Sequence, residues 1–297
     1  MERRNFIYQS SLIAMSMGVF GKIKWEGQAW VGEDPTTTDI LGPFYRPGAP
    51  VRTELVQAGT KGQLLHFNGV VFAKDGKTPF KNSLVEIWHC NEEGIYDNTS
   101  DDYVYRAACK TGADGKYQFN TILPVPYNVG GNVVRPAHIH MRVSGNSGQD
   151  LVTQVYFKGD AYVAKDESAG DPRSLNRILE ISTNAKNEKV VRFDIILKDE
   201  YILEDAAFKK ITGLYQMKDK SMAEFYREGD QLFVKLNGQI MEAMDYKGNN
   251  SFEGGLSRIK ATFELQPAGQ VKVKAAYMTG PDKYETVEGE KLLKYPA

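Results

Sequence analysis

Short stretches in which apolar and polar residues alternate run through the chain from Gln63 onward, and they constrain the fold more than any other feature. Alternation with a period of two is typical of half-buried β-strands, and turns rich in Gly, Asn and Asp separate the stretches. Many short strands at regular spacing, with few helical stretches, predict an all-β protein with an antiparallel β-sandwich. The predicted strands are residues 64–73, 83–90, 102–111, 116–123, 138–144, 151–157 and 190–197.

The regular pattern is interrupted near Lys198 and then restarts, which predicts two domains. We assign residues 30–200 to the sandwich, with a loop and one short helix over residues 160–185. Residues 205–297 are expected to form a small β-rich domain, in which 222–239 and 257–278 have the turn signals of hairpins. This second part contains no His and no Cys, so we assign it no catalytic cluster.

The charge of the chain argues against two classes of partner. The net charge is -1, so nothing favours binding to nucleic acid or to an anionic membrane surface. No apolar run reaches the roughly 18 residues that a membrane-spanning helix needs. The sequence is compatible with a homo-oligomer but does not specify one.

The N-terminal segment MERRNFIYQSSLIAMSMGVFG has a pair of arginines, Arg3 and Arg4, followed by a weakly apolar stretch. This arrangement is similar to a twin-arginine export signal, which we assign to residues 1–24. We therefore expect an exported protein. The alternative is a cytoplasmic protein in which these residues are the basic start of a frayed helix.

The chain has two cysteines, Cys90 and Cys109, near the ends of two predicted strands. An oxidising compartment would permit a disulfide between them. Two reduced thiols fit the sequence equally well, so the pairing stays open.

Two of the four histidines, His138 and His140, are one residue apart in the stretch RPAHIHMRVSG. Alternate residues of a strand point to the same face, so the two imidazoles would project together. Such a pair is one way to present two nitrogen ligands to a metal ion. Taken alone, the pair is better explained as two half-buried polar residues.

Five motifs stand around this pair in a fixed order. They are GPFY-x-PGAP, V-x-x-W-x-x-N-x-x-G-x-Y, G-x-Y-x-F-x-T-I-x-P-x-x-Y, RPAHIH and L-x-TQ-x-Y. Together, over residues 36–199, the chain resembles the intradiol ring-cleavage dioxygenases, the family of the protocatechuate 3,4-dioxygenases and catechol 1,2-dioxygenases.

The resemblance implies a non-haem Fe(III) ion with four protein ligands, namely Tyr96, Tyr127, His138 and His140. The chemistry of these residue types agrees with that set. Imidazole suits iron in general, and two phenolates add anionic oxygen ligands that favour Fe(III) over Fe(II). A tyrosine with a pKa near 10 normally stays protonated, but a trivalent cation reverses this preference.

The implied reaction cleaves a catechol-type aromatic between its two hydroxylated carbons with O2, giving a cis,cis-muconate-type product. Tyr127 is expected to leave the metal when substrate binds and to act as a general base. Arg135 is expected to bind the substrate and to stabilise negative charge on its ring. Gln154 is expected to assist catalysis from beside the metal, and Gly42 and Pro43 to line the substrate pocket.

The chain departs from the family pattern in places that bear on the substrate. We expect no long helical N-terminal segment of the catechol class before GPFY, which favours the protocatechuate type or a secreted single-sandwich type. Val129 and Val134, however, stand where the protocatechuate β-type usually has aromatic residues. The individual catechol is therefore left open.

Two other functions compete with this interpretation. A β-sandwich binding module could keep the fold without catalysis, although all four expected ligands are retained. A zinc hydrolase or lyase could use His138 and His140, although two tyrosine ligands would be unusual for zinc. We assign structural roles to the remaining histidines, His66 and His89, and a core position to Trp88.

Overall fold

The computed structural model describes residues 24–25, 30–31, 35–57, 59–145, 150–198, 203–280 and 283–293. Within these residues the chain is almost entirely β-structure, with a single α-helix, α1 (Asp205–Ile211). The predicted all-β class is therefore confirmed. The assigned export signal lies outside the described residues except for Lys24. No helix in the described ranges has the length and apolar character needed to cross a membrane.

Fourteen described strands precede α1, and three short 3₁₀-helices occur in the described chain. The strands are β1 (Lys24–Trp25), β2 (Trp30–Val31), β3 (Leu64–Phe72), β4 (Leu84–Trp88), β5 (Arg106–Lys110), β6 (Lys116–Ile122), β7 (Tyr127–Gly130), β8 (Val133–Arg135), β9 (His138–Ser144), β10 (Leu151–Phe157), β11 (Ile178–Leu179), β12 (Ser182–Thr183), β13 (Lys189–Arg192) and β14 (Ile195–Ile196). The 3₁₀-helices are Val163–Lys165, Pro172–Arg177 and Pro267–Gly269.

Two five-stranded sheets form this part of the molecule. One has the order β11-β10-β9-β4-β5, and the other contains β12-β13-β3-β14 with β6 also paired to β3. Both sheets contribute to one hydrophobic core, to which Phe67 and Phe119 belong from one sheet and Ile87 and Ile139 from the other. Apolar residues at every second position therefore form the core, as the period-two pattern predicts.

The prediction of antiparallel pairing is wrong for three pairs of strands. β13 and β14 both run parallel to β3, and β11 runs parallel to β10. A parallel partner requires a long connection that brings the chain back in the same direction. The loop region after β10 provides such a connection, but residue periodicity contains no information about strand direction.

Several predicted boundaries also shift. The predicted strand 102–111 is extended only over β5, because Tyr103 and Tyr105 have positive φ angles of 51° and 52° in the turn before it. The predicted strand 190–197 is divided into β13 and β14. The region 160–185 contains two 3₁₀-helices rather than one short helix.

After α1, eight consecutive strands form a closed barrel in which the last strand pairs with the first. They are β15 (Gly213–Met217), β16 (Met222–Glu228), β17 (Gln231–Leu236), β18 (Gln239–Gly248), β19 (Ser251–Gly254), β20 (Ile259–Leu265), β21 (Val271–Gly280) and β22 (Lys283–Lys291). Phe225, Phe252 and Phe263 belong to its core, and Phe208 of α1 packs into the same cluster. Asn237 and Gly238 both have positive φ in the predicted turn between β17 and β18.

The barrel packs against the sheet that contains β9. Trp88 and Val152 from that sheet share a hydrophobic cluster with Phe233 and Ala243 from the barrel. The boundaries of two independent domains remain a prediction, but the two parts share a buried contact.

Cys90 and Cys109 are free thiols in this structure. β4 and β5 are antiparallel neighbours, and Cys109 lies opposite Val85 near the start of β4. Cys90 follows the other end of β4, so the two sulfur atoms do not face each other.

Candidate metal centre

The candidate site lies on the central strand of the first sheet. β9 carries His138 and His140, with β4 on one side and β10 on the other. Trp88 of β4 and Gln154 of β10 both lie opposite His140, and Tyr156 of β10 lies opposite His138. Because directly opposite residues share a face of the sheet, these side chains lie together on one face, which carries the candidate site.

Four predicted ligand side chains converge at this face. The Tyr96 hydroxyl is 3.3 Å from His138 Nε2, and the Tyr127 hydroxyl is 3.4 Å from the same atom. The rings of His138 and His140 are 4.8 Å apart, and those of Tyr96 and His140 are 6.0 Å apart. The structure thus brings together residues that are up to 44 positions apart along the chain.

The tautomer of His138 is fixed by a backbone contact. Its Nδ1 is 2.6 Å from the carbonyl oxygen of Pro136, which can only accept a hydrogen bond. The proton is therefore on Nδ1, and Nε2 presents a lone pair to the two tyrosines. Burial, with a smaller contribution from Arg135, lowers the pKa of His138 to about 3, which favours the neutral form that binds metals.

His140 is buried, and neither of its ring nitrogens has a hydrogen-bond partner among the described residues. Its ring stacks on Trp88 with centroids 5.0 Å apart and planes 8° apart. Burial also lowers its pKa well below the ordinary value. Buried polar groups without a partner cost free energy, and a metal ion would satisfy the imidazole lone pair.

The two tyrosines differ in exposure. Tyr96 is buried and stacks on Phe44 with centroids 4.2 Å apart, whereas Tyr127 is only partly buried. Burial raises the pKa of Tyr96 well above its ordinary value, and it also raises that of Tyr127, against the opposing effect of Arg135. A phenolate at this site therefore requires a strong positive charge close by.

This donor set fits a ferric ion. Two neutral imidazoles and two phenol oxygens are directed into one small volume, and binding a trivalent cation would supply the charge that the phenolates need. Among the described residues there is no group of three or more His, Cys, Asp or Glu side chains that could hold a metal. The ordinary zinc sets and the two-histidine, one-carboxylate set thus have no counterpart in that part of the chain.

Arg135 points to the same site and is held by several contacts. β8 pairs with β7, and this hairpin places Arg135 opposite Tyr127. Its Nε donates to Asp166 at 3.0 Å, its Nη2 donates to Gln154 at 3.1 Å, and its Nη1 is 3.4 Å from His138 Nε2. The guanidinium is largely buried beside the predicted ligands, with 12% of its side chain exposed.

Gly42 and Pro43 occupy different positions relative to the site. Gly42 has φ +77°, and a Cβ atom added there would be 3.0 Å from His140 Cε1. The backbone at this residue therefore lies directly against the imidazole, an arrangement that favours glycine. Pro43 is exposed, and its carbonyl oxygen accepts a hydrogen bond from Gln239 of the barrel.

Sequence reasoning assigned no role to two residues that hold this site. The Tyr156 hydroxyl lies 2.8 Å from Asp39 Oδ2 and 3.1 Å from Gln154 Oε1, and its single proton can be donated to either acceptor. Asp166 accepts a hydrogen bond from Arg135. Tyr156 is the last residue of the L-x-TQ-x-Y motif, two positions after Gln154 on the same face, so the motif contained a signal for it. Asp166 lies in an irregular segment, where no periodicity indicates which side chain faces the site.

The remaining histidines are outside the site. His89 is buried and lies 2.8 Å from both the Cys90 carbonyl and the Thr121 hydroxyl. His66 contacts Asn120 and Glu188 at the surface of the other sheet.

Comparison with known proteins shows sequence similarity to dioxygenases in the first part of the chain. Residues 40–199 match a family described as Dioxygenase. A chlorocatechol 1,2-dioxygenase from Rhodococcus opacus is 30% identical over an alignment of 187 positions, and the match covers 55% of this chain and 72% of that protein. Catechol 1,2-dioxygenase 2 from Acinetobacter lwoffii is 38% identical over an alignment of 161 positions, and the match covers 48% of this chain and 58% of that protein.

The fold of a solved relative is also similar. The crystal structure of catechol 1,2-dioxygenase from Pseudomonas arvilla C-1 has 24% sequence identity and a TM-score of 0.50, over 69% of this chain and 71% of that one. The family match ends before α1, so it does not include the barrel.

Proposed function

Because the chain belongs to the intradiol ring-cleavage dioxygenase family, we propose that it is a non-haem Fe(III) enzyme that cleaves a catechol-type aromatic with O2. Cleavage would occur between the two hydroxylated carbons and give a cis,cis-muconate-type product. The observation that carries the proposal is the convergence of two buried imidazoles and two tyrosine hydroxyls, with both nitrogens of His140 lacking a partner within the described structure.

Tyr96, Tyr127, His138 and His140 would hold the iron. When bound, Fe(III) would accept the two catechol oxygens and make the ring reactive towards O2. Tyr96 is the permanent anionic ligand in this proposal, because it is buried and packed under Phe44. Tyr127 is less buried and lies on the short β7–β8 hairpin, so it is the ligand that moves and takes a proton from the substrate hydroxyl.

Arg135 would act on the substrate ring rather than on the iron. Its guanidinium is always charged, and Asp166 and Gln154 orient it beside Tyr127 and His138. Negative charge that develops on a ring carbon would be stabilised there without rearrangement of the side chain. Gln154 also donates to the Ile40 carbonyl at 2.7 Å, which fixes its side-chain oxygen towards Arg135.

The names of the relatives define a first panel of substrates. They include catechol, chlorocatechol and hydroxyquinol 1,2-dioxygenases. We propose that a catechol without a carboxylate substituent is preferred over protocatechuate, because Val129 and Val134 replace the aromatic residues usual in the protocatechuate β-type and so change the shape and polarity of the pocket.

The test combines colour with oxygen chemistry. Purified protein loaded with one equivalent of iron should be red-brown from tyrosinate-to-Fe(III) charge transfer. With labelled O2, the ring-opened product should contain both oxygen atoms. A colourless protein at full iron loading, or a product with only one labelled oxygen, would contradict the proposal.

Tyr96→Phe tests the ligand set. This change removes one phenolate but keeps the ring that stacks on Phe44. We expect the visible absorption to weaken and turnover to be lost. Tyr105→Phe is the matched control, because Tyr105 is also buried but contacts His89 rather than the site.

We also propose that the protein is exported by the twin-arginine route. The support is the Arg3-Arg4 pair ahead of a weakly apolar stretch. In a bacterial host with that pathway, the protein should be found in the periplasmic fraction, and the Arg3→Lys, Arg4→Lys variant should stay in the cytoplasm. Cytoplasmic retention of the unaltered chain would overturn export.

A further inference from the structure

The barrel covers the same sheet face that carries the candidate site. Two residues beyond His140 on β9, Arg142 points to that face, and Glu86 and Val152 lie opposite it on the flanking strands. Arg142 Nη1 donates to Glu228 of the barrel at 2.7 Å. The barrel therefore begins one row of side chains away from the histidines.

Between the barrel and the sheet runs the segment Asp39–Tyr45, which we call the covering loop. Its backbone contacts the site at Gly42, where an added Cβ would be 3.0 Å from His140 Cε1. Phe44 of the same loop stacks on Tyr96 with centroids 4.2 Å apart. The position of this loop thus determines how two of the four predicted ligands are packed.

Three contacts tie the covering loop to the barrel. Glu242 Oε1 accepts a hydrogen bond from the Leu41 amide at 2.8 Å. Gln239 Nε2 donates to the Pro43 carbonyl at 3.4 Å, and the Tyr45 hydroxyl donates to Glu228 at 3.1 Å. The barrel residues in these contacts lie on β16 and β18.

Glu242 is the most deeply placed of these barrel residues, with 3% of its surface exposed. Its Oε1 also accepts from the amide of Ala243 at 3.0 Å. Gly255 leaves room for the carboxyl group, since a Cβ there would be only 2.6 Å from Glu242 Oε2. Glutamate is rarely fully buried unless its carboxyl group has a partner. The partner here is the Leu41 amide, next to Gly42 and 201 residues earlier in the chain.

We infer that the barrel is a permanent wall of the active site and that Glu242 is a positioning residue, which fixes the covering loop against His140 and Tyr96. The inference rests on the proposed function only for the roles of those two ligands. The relevant group is the Oε1 acceptor, so glutamine can replace glutamate in this role whereas leucine cannot. Burial raises the pKa of Glu242 to about 8, and the carboxyl group offers this acceptor in both its protonated and its ionised form.

The first measurement is hydrogen–deuterium exchange of the iron-free full chain. In Glu242→Leu, the Leu41 amide loses its buried partner, so exchange in peptides covering residues 39–45 should be about tenfold or more faster. Glu242→Gln should restore slow exchange. Asp245→Leu is the matched control, because Asp245 is a buried carboxylate on the same strand that bonds Gln231 and Lys198 rather than the loop.

The second measurement uses the iron-loaded protein and a catechol. Glu242→Leu should raise KM several-fold more than it lowers kcat, because a displaced loop alters the pocket wall more than the reacting groups. The visible charge-transfer band should shift in Glu242→Leu, where the packing of Tyr96 and His140 changes, but not in Asp245→Leu. Glu242→Gln should return both properties close to those of the unaltered enzyme.

Unchanged exchange at residues 39–45 in Glu242→Leu, or equally fast exchange in Asp245→Leu, would overturn the inference. If Glu242→Leu does not fold, the double variant Tyr45→Phe, Gln239→Ala removes the two other loop contacts and leaves Glu242 in place. It should also speed exchange at residues 43–45, and the absence of any change would count equally against the inference.

The inference and the proposed function can fail separately. If exchange changes as expected but the protein cleaves no catechol, the proposed function is contradicted while the positioning role of Glu242 is retained.

Discussion

His89 and His140 are both buried imidazoles, yet their neighbours give them opposite roles. Both ring nitrogens of His89 have partners, the Cys90 carbonyl and the Thr121 hydroxyl. Neither nitrogen of His140 has a partner among the described residues. The imidazole of His89 is therefore a satisfied structural group, whereas that of His140 has free ring nitrogens within the described residues and lies beside Tyr96 and His138.

His89 should make the stability of the iron-free protein sensitive to pH. Burial lowers its pKa from 6.5 to about 4, so the unfolded chain takes up this proton before the folded chain does as the pH falls. The free energy of unfolding should therefore decrease between pH 6.5 and pH 4, by up to about 3 kcal/mol from this residue. Urea unfolding at several pH values, compared with His89→Gln, measures this contribution; an identical pH dependence in the two proteins would show that His89 does not cause it.

Arg135→Gln should separate catalysis from metal binding. The side chain is not among the proposed ligands, so iron content and visible colour should be retained. Loss of the positive charge of Arg135 beside the substrate ring should lower kcat by about a hundredfold or more, which is the typical effect of removing one preorganised group that stabilises developing charge. Arg192→Gln, which removes an exposed arginine on the other sheet, is the control; an unaltered kcat in Arg135→Gln would exclude the proposed role.

At the scale of elements, the site depends on how a loop and a hairpin meet the central strand. β9 presents the two histidines, the β7–β8 hairpin pairs Tyr127 with Arg135, and the covering loop packs directly against His140. Because each element contributes only one or two groups, a small displacement of any of them would separate the donors.

Gly42→Ala tests the contact between the covering loop and His140. Alanine in this left-handed backbone conformation should cost about 1–2 kcal/mol of folding free energy. In addition, its Cβ should clash with the imidazole of His140. Iron affinity, measured by competition with a chelator, should fall by about tenfold to a hundredfold. Gly131→Ala is matched, since Gly131 has φ +58° but nothing within 4 Å of its added Cβ. Equal iron affinities in the two variants would contradict the contact.

At the scale of the whole molecule, one buried arginine joins the barrel to the sheet. Arg142 contacts Glu86 at 3.2 Å, Asp150 at 3.4 Å and Glu228 of the barrel at 2.7 Å. Asp150 also accepts from the Asp230 amide of the barrel at 3.2 Å. The two parts of the chain therefore share a charged cluster as well as an apolar one.

Arg142→Leu should destabilise the protein strongly. Removing the guanidinium leaves buried carboxyl groups without their cation, which typically costs about 3–5 kcal/mol. Urea denaturation should show this loss, whereas Arg192→Leu, at an exposed ion pair, should change stability by about 1 kcal/mol or less. A loss of under about 1 kcal/mol in Arg142→Leu would mean that the cluster contributes little to holding the two parts together.

The sequence by itself determined the β character of the chain, the second β-rich region and the family. These follow from information local to short segments: the period of two, the NG turn before β18, and motifs such as RPAHIH, whose alternate histidines share a face of any strand. It also named Tyr96 and Tyr127, but only through resemblance to a known family.

Only the tertiary structure decided which distant groups meet. The parallel pairing of β13 with β3, the contact of Asp166 with Arg135 and the hydrogen bond from Leu41 to Glu242 have no local signal. Each depends on the direction in which the chain returns after a long connection, and residue periodicity is the same for either direction. The barrel has neither His nor Cys, so its residues predict no part in the chemistry, yet it packs one row of side chains from the histidines.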